Sequence, residues 1–241
     1  YWFQDLLRKA PAKPSPVDVK PGDTAVLLYT GGTTGVPKGA ELSHANIMAN
    51  AVMCRHWMHD IQEAKEVALT ALPLYHSFGM TTCMNLAIFA AGTMLLIPNP
   101  RDIPTMMKNV NQHHPTLFAG VPTMYVAFNN FPDIARYNVK SIRACVSGAA
   151  GLPVEVQKTF EEITGGKLVE GYGLSEATPV THANPIFGRR KIGSIGLPWP
   201  DTEARIVDSE TGEKTLPVGE AGELVIRGPQ VMRGYWNKPE E

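Results

Sequence analysis

From Val67 to Pro100 the chain carries no Asp, Glu, Lys or Arg. A run of that length is long enough to cross a bilayer. However, Pro73, His76, Ser77, Thr81, Thr82, Asn85, Gly92 and Thr93 interrupt it, and the polar groups they present would each need a partner in lipid. The expected alternative is a strand, a helix and a second strand buried in the core of a soluble domain.

The flanking sequence repeats that alternation. Pro11, Pro14, Pro16 and Pro21 follow a short amphipathic opening, Tyr1 to Ala10, and read as a linker because proline blocks both helix and sheet pairing. Ala25 to Tyr29 is apolar without alternation, as expected of a strand buried on both faces of a parallel sheet. Ser43 can cap a helix in which Ile47, Ala51, Cys54 and Met58 recur at helical spacing. Strands are expected near Val67 to Leu72, Met94 to Ile97, Leu117 to Ala119, Ile142 to Val146 and Lys167 to Glu170. Helices are expected near Met80 to Ala90, Thr105 to His113, from Thr123, and Val154 to Ile163.

Alternating β and α elements predict an α/β fold, a layered and mainly parallel sheet with flanking helices. After about Lys191 the pattern changes to turns and period-2 strands, Glu203 to Asp208 and Glu223 to Arg227, which predict the start of an antiparallel β subdomain. The expected division is therefore a lead-in over 1–22, an α/β unit over 23–190 and a β unit over 191–241.

Charge and cysteine content narrow the function. Lys plus Arg number 22 against 23 Asp plus Glu, a net charge of -1, so the chain lacks the basic footprint that grips a nucleic-acid backbone. Cys54, Cys83 and Cys145 are odd in number and far apart, which fits neither a disulfide framework nor a metal or redox pair and points to a reducing, cytoplasmic setting. Oligomeric state and peripheral membrane contact are left open. The sequence begins without Met and stops just after a proline, so an excised piece of a longer chain is expected.

The strongest chemical signal is Thr30-Gly31-Gly32-Thr33-Thr34-Gly35-Val36-Pro37-Lys38-Gly39. Glycines let backbone N–H groups approach an anion, threonine hydroxyls can donate to its oxygens, and Lys38 adds charge, which together make a polyphosphate cradle. It differs from a Walker A loop because Lys38 follows Pro37 and precedes Gly39; a bland surface turn is the alternative. In Gly171-Tyr172-Gly173-Leu174-Ser175-Glu176, Tyr172 can stack on a base, Ser175 offers a hydroxyl, and Glu176 offers a hard oxygen for Mg²⁺; a glycine turn with a solvated Glu is the competing reading. His76, alone among apolar residues, reads by itself as a hydrogen-bonded core histidine more readily than a catalytic one. His56, His59, His113 and His114 lack the companions of a metal site. The small residues Ser147 to Gly151 follow a parallel strand, where an α/β sheet admits a ligand, although helix packing explains them equally well.

In this order the motifs resemble the adenylate-forming superfamily, the acyl-CoA synthetases with their luciferase and peptide-synthetase relatives. Tyr29 to Gly39 is similar to its phosphate loop, Leu72 to Gly79 to its acyl-pocket motif and Gly171 to Glu176 to its nucleotide and magnesium motif. Gly222-Glu223-Leu224 through Gly234-Tyr235-Trp236 and Pro239 is similar to its later β motif. The match runs from Asp23 to Glu241 and, through Gly228 to Met232 and Pro179 to Pro185, looks most like the long-chain fatty acyl-CoA ligases. Ser175 stands where the family usually has Thr, and Ala149 where many members have a second Gly.

The resemblance implies activation of a fatty acid by ATP to acyl-AMP and pyrophosphate, then transfer to CoA. It places Mg²⁺ at Glu176, with Thr30, Thr33, Thr34 and Ser175 screening the α-phosphate charge. Gly31, Gly32, Gly35 and Lys38 would hold the leaving pyrophosphate, and Tyr172, between Gly171 and Gly173, would stack on adenine. Gly148, Ala149 and Ala150 would line the nucleotide pocket, and His76 would border the acyl carboxylate. The family's ribose-binding Asp and the catalytic Lys of its C-terminal domain have no counterpart in these 241 residues, so the chain is expected to be inactive alone. The rivals are adenylation of an aryl, amino or other carboxylic acid, and a non-catalytic nucleotide-binding module. An amino-acid substrate would call for an acidic partner that the uncharged 67–100 stretch does not offer.

Overall fold

The computed structural model describes residues 2–30 and 36–241. The expected phosphate-loop residues Gly31, Gly32, Thr33, Thr34 and Gly35 lie outside the described residues. A short helix, α1 (Phe3–Lys9), precedes the proline-rich lead-in, and none of its residues is buried.

The first strand corrects the expectation. β1 (Thr24–Thr30) does not join a parallel sheet; it pairs antiparallel with β2 (Lys38–Ser43), with Tyr29 opposite Gly39 and Thr30 opposite Lys38. β2 itself was not anticipated. Only one face of this ribbon is covered: Ala40 and Leu42 are fully buried, together with Met80, against Val26, Leu28, Ile47, Met84, Met232 and Tyr235, whereas Tyr29 is 62% exposed. An unbroken apolar run therefore marks a two-stranded ribbon pressed on a neighbour here, a case that periodicity alone does not separate from a central strand. Gly39 keeps the ribbon tight, since a Cβ there would come within 3.3 Å of the Tyr29 ring.

Ser43 caps α2 (His44–Trp57) as expected, in a capping box with Asn46. α2 buries Asn50, Ala51, Met53 and Cys54 and ends before His59, which instead faces the Phe187 ring at 5.1 Å. The uncharged stretch then folds as the expected strand, helical segment and strand. β3 (Val67–Thr70) leads into α3 (Ser77–Gly79), a π-helical turn (Met80–Asn85) and α4 (Leu86–Phe89), and β4 (Thr93–Leu96) follows. No helix among the described residues is long and apolar enough to cross a membrane.

The chain continues through α5 (Ile103–His113), β5 (Leu117–Gly120), α6 (Pro122–Asn129), β6 (Ala144–Ser147), α7 (Val154–Thr164), β7 (Lys167–Gly173), β8 (Val180–Ala183) and β9 (Leu197–Pro198). The large sheet has the order β4-β3-β5-β6-β7-β8-β9. Strands β4 to β7 are parallel, and β8 and β9 add antiparallel to the edge. The antiparallel pattern thus begins at Val180, ahead of the expected change near Lys191. Beyond it, β10 (Glu203–Val207) and β11 (Glu223–Arg227) pair antiparallel with Ile206 opposite Leu224, close to the expected strands.

The sheet is clamped at its amino ends and supported by an aromatic core. At the amino ends of β3, β5 and β6, Arg143 bridges Asp60 and the buried Glu66, and Thr116 donates to Glu66 at 2.5 Å. Beneath it, Phe118, Tyr125, Phe128 and Phe160 form the centre of the main core. The three cysteines are buried and free. Burial pushes the Cys83 thiol up to about 12 and raises Cys54 and Cys145 as well, which makes them packing residues rather than nucleophiles.

Candidate functional site

With their amino ends clamped, the parallel strands open a cleft of about 490 Å³ at their carboxyl ends, the position where α/β sheets admit ligands. Thr30 from β1, His76 from the loop after β3, Gly148 and Ala149 after β6, and Gly171, Tyr172, Gly173, Ser175 and Glu176 from β7 and its exit all line it. Two expected residues stand apart. Ala150 is exposed and is not among the lining residues; the chain turns at Ala149, whose φ of 69° is left-handed, so the next side chain leaves the cleft. Lys38 lies at the rim, with its ammonium 4.6 Å from the Tyr235 ring centroid and 2.6 Å from Glu241.

Each wall has a local cause. His76 is exposed in the cleft, which corrects the reading of it as a core histidine. It caps α3 through Nδ1, which accepts from the Phe78 N–H at 3.2 Å. A neutral ring with Nδ1 accepting carries its proton on Nε2, so the free edge is a donor. Gly148 lies against Phe78, where a Cβ would come within 3.1 Å of the ring.

Gly171 and Gly173 belong to β7 rather than to a turn. A Cβ at Gly173 would sit 2.1 Å from the Pro179 carbonyl oxygen and one at Gly171 would sit 3.0 Å from Val146. Close backbone approach thus requires glycine at 173, and the Val146 side chain crowds position 171; between them the Tyr172 ring stands on the cleft wall, roughly perpendicular to the His182 ring with 6.3 Å between centroids.

A 3₁₀ turn, Ser175–Ala177, presents Ser175 and Glu176. It is anchored from below, because Thr178 is buried and its single hydroxyl hydrogen is shared between the carbonyls of Gln230 and Asn46, at 3.0 and 3.2 Å from Oγ1. It is anchored from above by the Met232 N–H, which donates to the Glu176 carbonyl at 2.7 Å. Glu176 Oε1 accepts from the Tyr235 hydroxyl at 2.7 Å, and that bond, with burial, pushes the Tyr235 phenol up to about 12.

Tyr235 had no expected role in the site, although its Gly-Tyr-Trp motif was visible. Nor had Leu28, Tyr29, Tyr75, Ser77, Phe78, Val146, Leu174, Pro179 and Val180, which complete the lining; most lie inside the segments that carry the resemblance, which marks a stretch without assigning each side chain. Val146 and Val180 also line a narrow apolar crevice behind the cleft, with Trp57, Met58, Leu86, Ala119 and Trp199.

Among the described residues no group of three or more His, Cys, Asp and Glu could enclose a metal ion. Glu176 offers a single carboxylate with one oxygen engaged. That donor set suits Mg²⁺ bound through one carboxylate together with substrate phosphates and water, and does not suit an all-protein cage.

The family model described as AMP-binding enzyme matches residues 3–236. A long-chain-fatty-acid–CoA ligase of Bacillus subtilis (strain 168) is 54% identical over 219 residues, covering 91% of this chain and 39% of the relative. A long-chain-fatty-acid–CoA ligase of Yersinia pestis is 42% identical over 226 residues, covering 92% of this chain and 40% of the relative. The crystal structure of ATP-bound MatB from Rhodopseudomonas palustris superposes with a TM-score of 0.84 at 33% identity, covering 98% of this chain and 46% of that one. The chain therefore spans about two fifths of the curated relatives it matches.

Proposed function

The chain belongs to the AMP-binding enzyme family, and from that premise we propose that the protein carrying it activates a long-chain fatty acid with ATP and passes the acyl group to CoA. The observation that carries this reading is the convergence of Thr30, His76, Tyr172, Ser175 and Glu176 on one cleft backed by an apolar crevice. The names of the relatives at 54% and 42% identity support the acid and the thiol acceptor. The same reading keeps a lead-in over 1–22, an ATP- and acyl-binding unit over 23–190 and a β unit over 191–241, with β9 reaching back to the large sheet. It also keeps cytoplasmic residence, consistent with three free thiols.

In the first step a carboxylate oxygen attacks the α-phosphorus, the bond from that phosphorus to the bridging oxygen breaks, and pyrophosphate leaves. In the second, the CoA thiol loses its proton to solvent, its sulfur attacks the acyl carbon, the bond from that carbon to the phosphate oxygen breaks, and AMP leaves. The attacking oxygen belongs to the substrate, so the chain needs no side-chain nucleophile. It has to screen one anion from another.

Tyr172 supplies a flat face for the adenine, and Gly148 and Ala149 leave room beside it. Thr30 and Ser175 turn hydroxyls toward the phosphates, and Lys38 at the rim draws the leaving pyrophosphate, together with Gly31, Gly32, Thr33, Thr34 and Gly35. His76 donates through Nε2 to the acyl carboxylate and holds it in line. Glu176 would hold Mg²⁺, which when bound supplies charge screening at the phosphates. The apolar chain runs toward Val146 and Val180.

ATP–pyrophosphate exchange by the full-length enzyme, measured with fatty acids of graded length and with aryl and amino acids as controls, tests the reading. Exchange that rises with chain length supports it. Exchange driven only by an aryl or amino acid overturns the substrate assignment, and no exchange with any acid leaves a nucleotide-binding module.

A further inference from the structure

We propose that Tyr235 is a positioning residue that holds the cation-binding carboxylate Glu176 and the phosphate-binding Lys38 as one unit. The proposal rests on the reading of Glu176 and Lys38 given above and adds the side chain that joins them. The Tyr235 hydroxyl donates to Glu176 Oε1 at 2.7 Å. The face of the same ring lies 4.6 Å from Lys38 Nζ, inside the range of a cation–π contact. One side chain thus meets two opposite charges at two different places, its phenol oxygen and its ring face.

The backbone that carries Tyr235 is fixed without help from that hydroxyl. Its neighbours are stitched to β2, where the Arg233 N–H donates to Glu41 O at 3.0 Å, the Glu41 N–H to Gly234 O at 2.9 Å and the Trp236 N–H to Gly39 O at 2.8 Å. Upstream, Asn46 Nδ2 donates to Pro229 O at 2.7 Å and to Val231 O at 2.9 Å. The Met232 N–H binds the carbonyl of Glu176 itself. The segment is therefore tied both to the strand that bears Lys38 and to the turn that bears Glu176, and Tyr235 stands where the two meet.

The chemical consequence follows from the charges. A flexible lysine and a glutamate in one neighbourhood neutralise each other unless something keeps them apart, and each would then be lost to its ligand. Tyr235 gives Lys38 a ring face to rest on, beside its ion pair with Glu241 at 2.6 Å, and gives Glu176 a donor that fixes Oε1. No other protein hydrogen bond to a Glu176 carboxylate oxygen occurs among the described residues, so Oε2 is left for the cation that accompanies a polyphosphate. Removing the hydroxyl frees the carboxylate to rotate, and removing the ring leaves Lys38 held only by its ion pair with Glu241.

The test uses the full-length enzyme as wild type, Tyr235→Phe and Tyr235→Leu. The ATP Kd is measured by calorimetry with Mg²⁺ and again in EDTA, and the Mg²⁺ half-saturation of ATP–pyrophosphate exchange is measured beside it. Loss of a hydrogen bond to a charged group predicts that Tyr235→Phe weakens MgATP binding by about tenfold and raises the Mg²⁺ half-saturation by a similar factor. Its ATP affinity in EDTA should stay within about twofold of wild type. Tyr235→Leu should also lose about two- to fivefold in EDTA, because the ring face under Lys38 is gone and only Glu241 still holds it.

Wild-type MgATP affinity and Mg²⁺ half-saturation in Tyr235→Phe overturn the proposal, and so does an equal loss with and without Mg²⁺, which would mark a merely structural tyrosine. A wild type that binds MgATP but exchanges nothing with any fatty acid overturns the substrate reading while calorimetry still decides Tyr235. A wild type that binds no ATP overturns both.

Discussion

Beneath the cleft, Phe118, Tyr125, Phe128 and Phe160 pack with ring centroids 4.9 to 6.4 Å apart, fully or almost fully buried. Along its rim, the 229–236 segment is held by β2 through backbone carbonyls and N–H groups and by α2 through the amide of Asn46. The floor gains stability from apolar burial, which is large and non-directional. The rim gains geometry from hydrogen bonds, each worth little net stability but demanding in position. Damage to the floor should therefore unfold the protein, and damage to the rim should misplace Glu176 and Lys38 in a protein that stays folded.

That contrast can be broken by substitution. Phe160→Ala in the full-length enzyme should have the largest effect, a loss of about 3–5 kcal/mol read by denaturant unfolding; a loss near zero would mean that the aromatic cluster is not the foundation of the sheet. Asn46→Ala removes half of the capping box and both bonds to the rim segment, and should cost about 1–3 kcal/mol. Its more telling readout is hydrogen exchange, with faster exchange at Met232, Arg233 and Trp236 and little change at the N–H groups of β5 and β6. Uniform acceleration would erase the distinction between rim and floor.

His182 sharpens the comparison, since it lies in β8 behind the Tyr172 ring. Burial holds its imidazole below the usual histidine range. Below an ordinary histidine pKa of about 6.5, the unfolded chain takes up the proton before the folded one does. The contribution of His182 to stability is therefore complete above that pH and is lost as pH falls through the depressed folded value. Thermal unfolding followed from about pH 7.5 to pH 5 should show a decline that His182→Gln flattens; an identical profile in the variant would remove the assignment. The smallest effect belongs to Ala149→Gly. A φ of 69° costs an alanine more than a glycine, although glycine loses more chain entropy on folding, so the exchange should stabilise by under about 1 kcal/mol. A measurable loss of stability would show that the alanine methyl contributes packing.

The same division explains what could be read before the structure. The parallel strands and helices from Val67 to Thr164 follow their apolar patterns closely, because a strand covered on both faces and a helix with one buried stripe each leave a mark in the sequence. β2 leaves little mark in the sequence because Lys38-Gly39-Ala40-Glu41-Leu42-Ser43 alternates only weakly and its pairing depends on β1 and on a segment near residue 235. The apolar neighbours of His76 alone favour a core histidine, because they conceal that Nδ1 caps a helix and that the ring edge is open. Tyr235 was visible in a motif, but its meeting with Glu176 is a contact across the fold that no local spacing encodes. The resemblance implies Ala150 at the pocket, whereas in the fold it is exposed and follows Ala149, whose φ is left-handed.

A crystal structure of the full-length enzyme with a non-hydrolysable ATP analogue and Mg²⁺ bears most directly on the cleft. The expected result is adenine against Tyr172 and Ala149, phosphates directed to the 30–38 segment, and the ion about 2.1 Å from the free oxygen of Glu176. A nucleotide seated away from these residues, with Tyr172 and Glu176 contacting nothing, would contradict the assignment of this cleft as the site of adenylation.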